Sequence, residues 1–184
     1  MDILLTSTAI VALAEMGDKT QLLAFTLAAR FQRPWTVLGG ILAATILNHG
    51  LAATGGATLA SWIGPHLLKW VVGLSFLGFA AWTLVPDRDE DVAERPGWGA
   101  FATTATLFFV AEMGDKTQLA TVALGARFQA IFAVTCGTTL GMMIADGAAV
   151  FLGTRLPTLI PMHWMRRLAA ALFAAFGLVT LLWS

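Results

Sequence analysis

The nonapeptide AEMGDKTQL occupies residues 14–22 and returns unchanged at residues 111–119, 97 positions further along the chain. Other identical pairs share this offset, so the repeat extends well beyond the motif. These pairs are residues 29–32 with 126–129, Gly40 with Gly137, Gly50 with Gly147, His66 with His163, Phe76 with Phe173, and Phe79 with Phe176. The chain is therefore predicted to contain two copies of one structural unit.

The composition predicts a membrane protein. Of 184 residues, 58% are hydrophobic and only 12% are charged, and the mean hydropathy is +0.77, which leaves too little polar surface for a water-soluble globule. A transmembrane helix needs ~20 residues, so the length allows about six spans. The predicted spans are Ile3 to Ala29, Trp35 to Ile63, Leu67 to Val85, Trp98 to Ala126, Ile131 to Leu156 and Trp164 to Trp183.

A charged stretch separates the two copies. It covers residues 86–97 and contains Pro86 and Pro96, which stop helices on either side. We therefore expect a first three-helix repeat over residues 1–85, a linker over 86–97 and a second three-helix repeat over 98–184. Three spans per copy is an odd number, so the second copy would enter the membrane from the opposite face. The predicted fold is an all-α integral membrane protein of six transmembrane helices in two inverted repeats, an architecture of secondary transporters.

Positive charges predict the orientation, because cytoplasmic loops are enriched in lysine and arginine. The first, third and fifth connections hold seven arginines, whereas the other face holds Lys69 and Arg127. We therefore expect the linker to be cytoplasmic and both termini to lie outside. The seven are Arg30, Arg33, Arg88, Arg95, Arg155, Arg166 and Arg167.

Charge and cysteine content exclude other classes of function. The formal net charge is zero, from 11 basic and 11 acidic residues, and there is no basic stripe, so nucleic acid is not an expected partner. The single cysteine, Cys136, excludes an intrachain disulfide framework and a cysteine-rich zinc site. No cofactor is expected.

The repeated motif places charge at the middle of a span. An Asp or Lys at a helix centre costs ~2.5 to 3.5 kcal/mol on insertion scales, and each motif carries three charged groups. On a continuous helix, Glu15 and Asp18 would share a face and Lys19 would pair with Glu15. Gly17 and Gly114 would allow the helix to break or another backbone to approach.

If the two motifs meet at the midplane, they form a cluster of oxygen ligands. Such ligands suit hard divalent cations of the calcium, magnesium and manganese kind, and the two lysines, Lys19 and Lys116, would balance charge in the empty site. The predicted metal ligands are the carboxylates Glu15, Asp18, Glu112 and Asp115, supported by the hydroxyls of Thr20 and Thr117 and the amides of Gln21 and Gln118.

A second polar group lies in the second and fifth spans. His49 and Asp146 are related by the 97-residue offset, and Asn48 precedes His49. With Asp146, five intramembrane acids face two lysines, which gives a formal charge of −3 that a divalent ion reduces only to −1. Carboxylates and imidazole also bind protons, so metal and proton would compete for one cluster. Asn48, His49 and Asp146 are therefore candidates for proton coupling in a metal/proton antiporter that works by alternating access.

Other interpretations remain open at this point. The motif could form a buried salt-bridge network that only fixes helix register. An intramembrane aspartyl hydrolase is a second alternative, although its motifs resemble Tyr-Asp and Gly-x-Gly-Asp and this chain has no tyrosine. An exporter of small cationic solutes such as amino acids is a third, because it shares the small six-helix layout.

The sequence ExGDKT, at residues 15–20 and 112–117, closely resembles the signature of the Gdt-type (MneA- and Mnx-like) cation transporter family. The resemblance covers the whole chain and implies a manganese or calcium transporter, not an enzyme, that exchanges metal for protons. It also implies that Glu15, Asp18, Glu112 and Asp115 bind the metal. We therefore expect a multi-pass manganese exporter of a bacterial inner membrane. Its expected partners are a divalent ion, protons and the lipid bilayer, and a homo-oligomer is compatible with this interpretation.

Overall fold

The protein is helical throughout the part that the computed structural model describes, which is residues 2–85, 98–152 and 162–183. The predicted linker over residues 86–97 and Arg155 lie outside these ranges. The helices of the described residues are α1 (Ile3–Glu15), α2 (Lys19–Phe31), α3 (Pro34–Trp62), α4 (Pro65–Thr83), α5 (Ala100–Glu112), α6 (Lys116–Phe128), α7 (Ile131–Leu152) and α8 (Met162–Trp183).

Three of these helices, α3, α4 and α7, are long and apolar enough to cross a membrane. The all-α class and the apolar character agree with the predicted membrane protein. The count of six spans and their inverted arrangement stay predictions, as do the domain boundaries. Helices α1 and α5 are apolar but only 13 residues long, because each ends inside a repeated motif.

The predicted first and fourth spans are each divided into two half-helices at the motif. Helix α1 ends at Glu15 and α2 begins at Lys19. Gly17 and Gly114 have φ of 83° and 84°, in the left-handed region that glycine adopts without steric cost. The side chains of Asp18 and Asp115 cap the second half-helix of each pair. The expectation that Glu15 and Asp18 share one helix face is therefore wrong, because the helix that would align them stops between them.

The two repeats pack into each other through equivalent contacts. A Cβ placed on Gly40 of α3 would lie 2.7 Å from Thr104 Cβ of α5, and one on Gly137 of α7 would lie 2.8 Å from Ser7 Cβ of α1. The two contacts are equivalent, because Gly137 lies 97 positions after Gly40 and Thr104 lies 97 positions after Ser7. Long helices of one repeat therefore pack closely against first half-helices of the other, through small residues that bring backbones together.

The third helices of the two repeats, α4 and α8, also pack together. The rings of Phe76 and Phe176 lie 4.7 Å apart between centroids, and those of Phe76 and Phe173 lie 5.9 Å apart. Phe76 and Phe173 are equivalent positions and both are fully buried. This aromatic contact therefore joins the third helices of the two repeats.

Candidate cation site between the two repeats

Carboxylates of both repeats come together where α1 and α5 end. Glu15, Glu112 and Asp115 each offer one oxygen atom, and these three atoms all lie within 4.8 Å of one another. Glu15 and Glu112 are fully buried and Asp115 is 6% exposed. The central prediction, that acidic groups of the two motifs share one site, agrees with this geometry.

Ion pairs run across the site from one repeat to the other. Lys116 Nζ lies 3.0 Å from Asp18 Oδ2, and Lys19 Nζ lies 4.0 Å from Asp115 Oδ1. The fourth predicted carboxylate, Asp18, is not one of the three acids that lie within 4.8 Å of one another, and it pairs with the lysine of the opposite repeat. The side chain of Lys116 is 4% exposed and that of Lys19 is 23% exposed, so the two pairs differ in burial and in length.

The motif threonines orient the glutamates. Thr20 Oγ1 donates a hydrogen bond to Glu15 Oε1, and Thr117 Oγ1 donates to Glu112 Oε2 over 2.9 Å. The second oxygens, Glu15 Oε2 and Glu112 Oε1, are buried and have no hydrogen-bond partner among the described residues. Because a buried carboxylate oxygen without a partner is costly, these atoms are suited to bind a cation or a proton.

The motif glutamines make a different set of contacts. Gln21 Oε1 accepts from the backbone N–H of Gly17, and Gln118 Oε1 accepts from Gly114, over 2.9 and 2.6 Å. Both amide oxygens are thus hydrogen-bonded to the backbone of the non-helical segment between the half-helices. This segment, residues 16–18 in the first repeat and 113–115 in the second, is called the break. The amide groups expected to support the metal lie next to the site, but their oxygen atoms accept hydrogen bonds from backbone N–H groups.

The three polar residues predicted in the long helices divide into two kinds. Asn48 bonds within the protein, since its Nδ2 donates to Phe109 O over 3.2 Å. His49 and Asp146 are fully buried, and neither ring nitrogen nor either carboxylate oxygen has a hydrogen-bond partner among the described residues. Gln21 Nε2 of the first motif donates to the carbonyl of Ala145, the residue before Asp146, over 2.9 Å, which puts α7 beside the first motif.

Sequence reasoning missed several buried hydroxyls, of which Ser7 and Thr104 form an equivalent pair in the two repeats. Both are fully buried and unpartnered within the described ranges. They lie eight residues before Glu15 and Glu112 and contact the long helices of the opposite repeat at Gly137 and Gly40. The 97-residue offset, which relates Ser7 to Thr104, was the signal that would have found them.

The donor set fits a hard divalent cation as transported substrate. It contains carboxylate oxygens from both repeats with hydroxyls beside them, and the group of potential ligands found among the described residues includes no cysteine. Oxygen-only sites favour calcium, magnesium and manganese. Lys19 and Lys116, which each pair with an aspartate of the opposite repeat, neutralise part of the negative charge.

Comparison with known proteins agrees with this chemistry. The family model described as "Divalent cation/proton antiporter GDT1" matches residues 3–91 and 100–184. A protein of Vibrio cholerae serotype O1 named "Putative manganese exporter" is 42% identical over 98% of this chain and 90% of its own length. A GDT1-like protein of Synechocystis is 28% identical over 93% and 92%, and GDT1-like protein 4 of Arabidopsis thaliana is 30% identical over 97% and 94%.

No solved structure matches the chain significantly. The family model covers both repeats, and each of its two matched segments contains one complete motif with its pair of acids. The chain belongs to the GDT1 family of divalent cation/proton antiporters.

Proposed function

We propose that this protein exports manganese across a bacterial inner membrane in exchange for protons. The observation that carries the proposal is the group of three buried carboxylates, Glu15, Glu112 and Asp115, whose oxygens lie within 4.8 Å of one another although they come from both repeats. A site shared between repeats is the arrangement that alternating access requires. The name of the Vibrio cholerae relative favours manganese over calcium.

The cation binds to Glu15, Asp18, Glu112 and Asp115 in this proposal. The unpartnered oxygens of the two glutamates are the first available ligands. As the cation arrives, Lys116 and Lys19 move away from Asp18 and Asp115, which then complete the site. Thr20 and Thr117 hold the glutamates in place and lie close enough to add hydroxyl oxygens.

Protons replace the cation on the return step. Counting Asp146, the intramembrane acids outnumber the lysines by three, so a divalent ion alone leaves a charge of −1 in a medium where charge is costly. Asp146 and His49 are the proposed proton-coupling groups, because both are fully buried and unpartnered among the described residues. Asn48 has no titratable group, and its amide is hydrogen-bonded to Phe109 O and Gln118 Nε2, so it is not a proton carrier in this proposal.

Six spans in two inverted repeats provide the alternating access. The equivalent contacts of Gly40 with Thr104 and of Gly137 with Ser7 support a pseudo-symmetric arrangement in which either half can rearrange against the other. The linker over residues 86–97 would be cytoplasmic and both termini outside. Membership in a transporter family excludes the hydrolase alternative, and a divalent cation family leaves the cationic amino acid exporter without support.

Transport in proteoliposomes tests the proposal. Manganese movement and a coupled pH change are recorded for the parent, for Asp18→Asn and for Asp115→Asn. Both variants are expected to lose transport at least about tenfold, because an amide cannot supply the charge that a carboxylate gives the cation. Asp2→Asn is the matched control, since Asp2 is exposed and caps α1, a role that Asn also fills.

The cation is identified by isothermal titration with manganese, calcium and lysine. Binding of a metal that both Asp→Asn variants lose, without binding of lysine, supports the proposal. Transport of manganese by Asp18→Asn and Asp115→Asn at the parent rate would contradict it.

A further inference from the structure

Each motif glutamine joins two elements of the molecule. On one side its amide oxygen accepts from a glycine N–H in the break of its own repeat, Gly17 for Gln21 and Gly114 for Gln118. On the other side its amide nitrogen reaches the opposite repeat. Gln21 Nε2 donates to Ala145 O in α7 over 2.9 Å, and Gln118 Nε2 donates to Asn48 Oδ1 in α3 over 2.5 Å.

The two acceptors occupy equivalent positions. Asn48 and Ala145 are 97 residues apart, and they immediately precede His49 and Asp146. Each glutamine therefore connects the break that carries a cation-binding aspartate with the long helix that carries an unpartnered buried group. The connection is repeated on both sides of the site although one acceptor is a side chain and the other is a backbone carbonyl.

We propose that Gln21 and Gln118 are positioning residues that couple cation binding at the two breaks to movement of α7 and α3. The inference rests on the proposed function and deepens it. Both functional ends of each amide are hydrogen-bonded within the protein, so the glutamines act through these bonds and not as metal ligands.

The physical basis is the rigidity of a bond network in a low-dielectric interior. Asp18 and Asp115 cap α2 and α6. A cation that binds either carboxylate therefore moves the backbone of the break in which that aspartate lies. Gly17 and Gly114 lie next to these aspartates and are tied to the glutamines. A buried side-chain network transmits such a displacement because its bonds are costly to leave unmade. Movement of a break therefore moves its glutamine, and through it the long helix of the opposite repeat at Ala145 or Asn48.

The two connections offer an internal control. The bond between Gln118 and Asn48 joins two side chains, so either partner can be changed, whereas the acceptor of Gln21 is the Ala145 carbonyl, which no side-chain substitution removes. Changing Asn48 should therefore affect Gln118 and leave Gln21 with its bond.

The test uses the full-length protein with the variants Gln21→Met, Gln118→Met and Asn48→Ala, which remove the polar groups. Manganese/proton exchange is measured in proteoliposomes and manganese binding by calorimetry. Transport is expected to fall about tenfold, which is the scale of one coupled hydrogen bond. Manganese affinity is expected to change less than about threefold. Gln32→Met, at the exposed end of α2, is the matched control and should keep the parent rate.

Double variants measure the coupling directly. Adding Asn48→Ala to Gln118→Met should cause less loss than the product of the two single losses, because both changes remove the bond between Gln118 and Asn48. Adding Asn48→Ala to Gln21→Met should multiply the two losses. If Gln118→Met does not yield folded protein, Asn48→Ala decides the question, since it leaves the bond of Gln118 to Gly114 in place.

Three results would overturn the inference. Loss of manganese binding in the glutamine variants, as large as in Asp115→Asn, would make the glutamines ligands. Exchange at the parent rate in Gln21→Met and Gln118→Met, with an active parent, would refute the coupling and leave the proposed function standing. Absence of manganese-driven proton movement in the parent itself would refute the proposed function, and the coupling with it.

Discussion

At the scale of single residues, the site is defined by ion pairs that cross between the repeats. The sequence identifies the charged residues and their even distribution over two motifs. It does not identify their partners, because Lys116 reaches Asp18 and Lys19 reaches Asp115 only once the two halves are packed together. A transported cation would compete with these lysines for the same aspartates, so binding of the cation would require the lysine–aspartate pairs to separate.

The two lysines should differ in their contribution to stability. Lys116→Met removes the cation 3.0 Å from Asp18 in a pair whose side chains are nearly fully buried, so the free energy of unfolding should fall by about 3 kcal/mol. Lys19→Met affects a 4.0 Å pair with a partly exposed lysine and should cost no more than about 1 kcal/mol. Unfolding followed by tryptophan fluorescence in detergent, without cation, measures both.

Manganese should restore part of the stability lost in Lys116→Met, because the added cation replaces the missing positive charge. Asp2→Asn serves as the reference for an exposed change of charge. Equal losses in the two lysine variants would contradict the assignment of the stronger pair to Lys116.

At the scale of elements, the decisive feature is the interruption of two predicted spans. Glycine in the motif indicated that a break was possible, but the run of apolar residues on either side favoured a continuous helix. The break forms because Asp18 and Asp115 cap new helices and because Gly17 and Gly114 accept positive φ. Broken helices expose backbone polar groups at membrane depth, which is tolerated only where protein covers them.

The backbone conformation of the break predicts a selective effect of Gly114→Ala. A Cβ at Gly114 has nothing within 4 Å, yet φ is +84°, so the cost comes from the backbone alone and should be about 1–2 kcal/mol. Transport should fall with it. Gly55→Ala is the control, since that helical glycine also has open space around it and alanine favours the helix by up to about 1 kcal/mol.

Thermal unfolding in detergent and transport in proteoliposomes compare the two alanine variants. A Gly114→Ala protein as stable and as active as Gly55→Ala would show that the left-handed conformation is not needed.

At the scale of the whole molecule, the repeats are interlocked instead of lying side by side as two separate bundles. Helix α3 of the first repeat packs against α5 and α6 of the second, and α7 packs against α1. Helices α3 and α6 also approach closely, and a Cβ on Gly125 would lie 2.4 Å from Ala53 O. Each half therefore depends on the other for burial of its long helix.

Adjacent glycines in α3 test this packing. A Cβ on Gly56 would lie 2.0 Å from Val122 O, a backbone atom of α6, whereas Gly55 has nothing within 4 Å. Gly56→Ala should therefore lower the free energy of unfolding by about 1–3 kcal/mol, because backbone cannot move aside as a side chain can. Gly55→Ala should not destabilise. Fluorescence-detected unfolding of the two variants in the same detergent decides the matter, and equal stability would refute the close α3–α6 contact.

The predicted orientation is tested by cysteine labelling in a Cys136→Ala background. In intact bacterial cells, an impermeant maleimide should label Asp2→Cys and should label Glu94→Cys only after permeabilisation, since positively charged connections stay inside. Manganese export by both proteins is the control for folding. Labelling of Glu94→Cys in intact cells would place the linker outside and contradict the proposed orientation.

The sequence by itself determined the helical class with its apolar helices, the exact repetition of the motif and the candidate residues of the site. These follow from composition, from an exact repetition and from the cost of placing charge among apolar residues, all of which are properties of the chain alone. The same information indicated oxygen chemistry for a divalent cation.

Only the tertiary structure decided where the helices stop and which partners meet. The crossed lysine–aspartate pairs and the bonds of Gln21 and Gln118 join residues far apart in sequence. Helical periodicity relates residues a few positions apart, so it carries no information on contacts between halves of the molecule. Those contacts depend on how two copies of the same unit pack against each other, and that packing brings the acids of both motifs into one site.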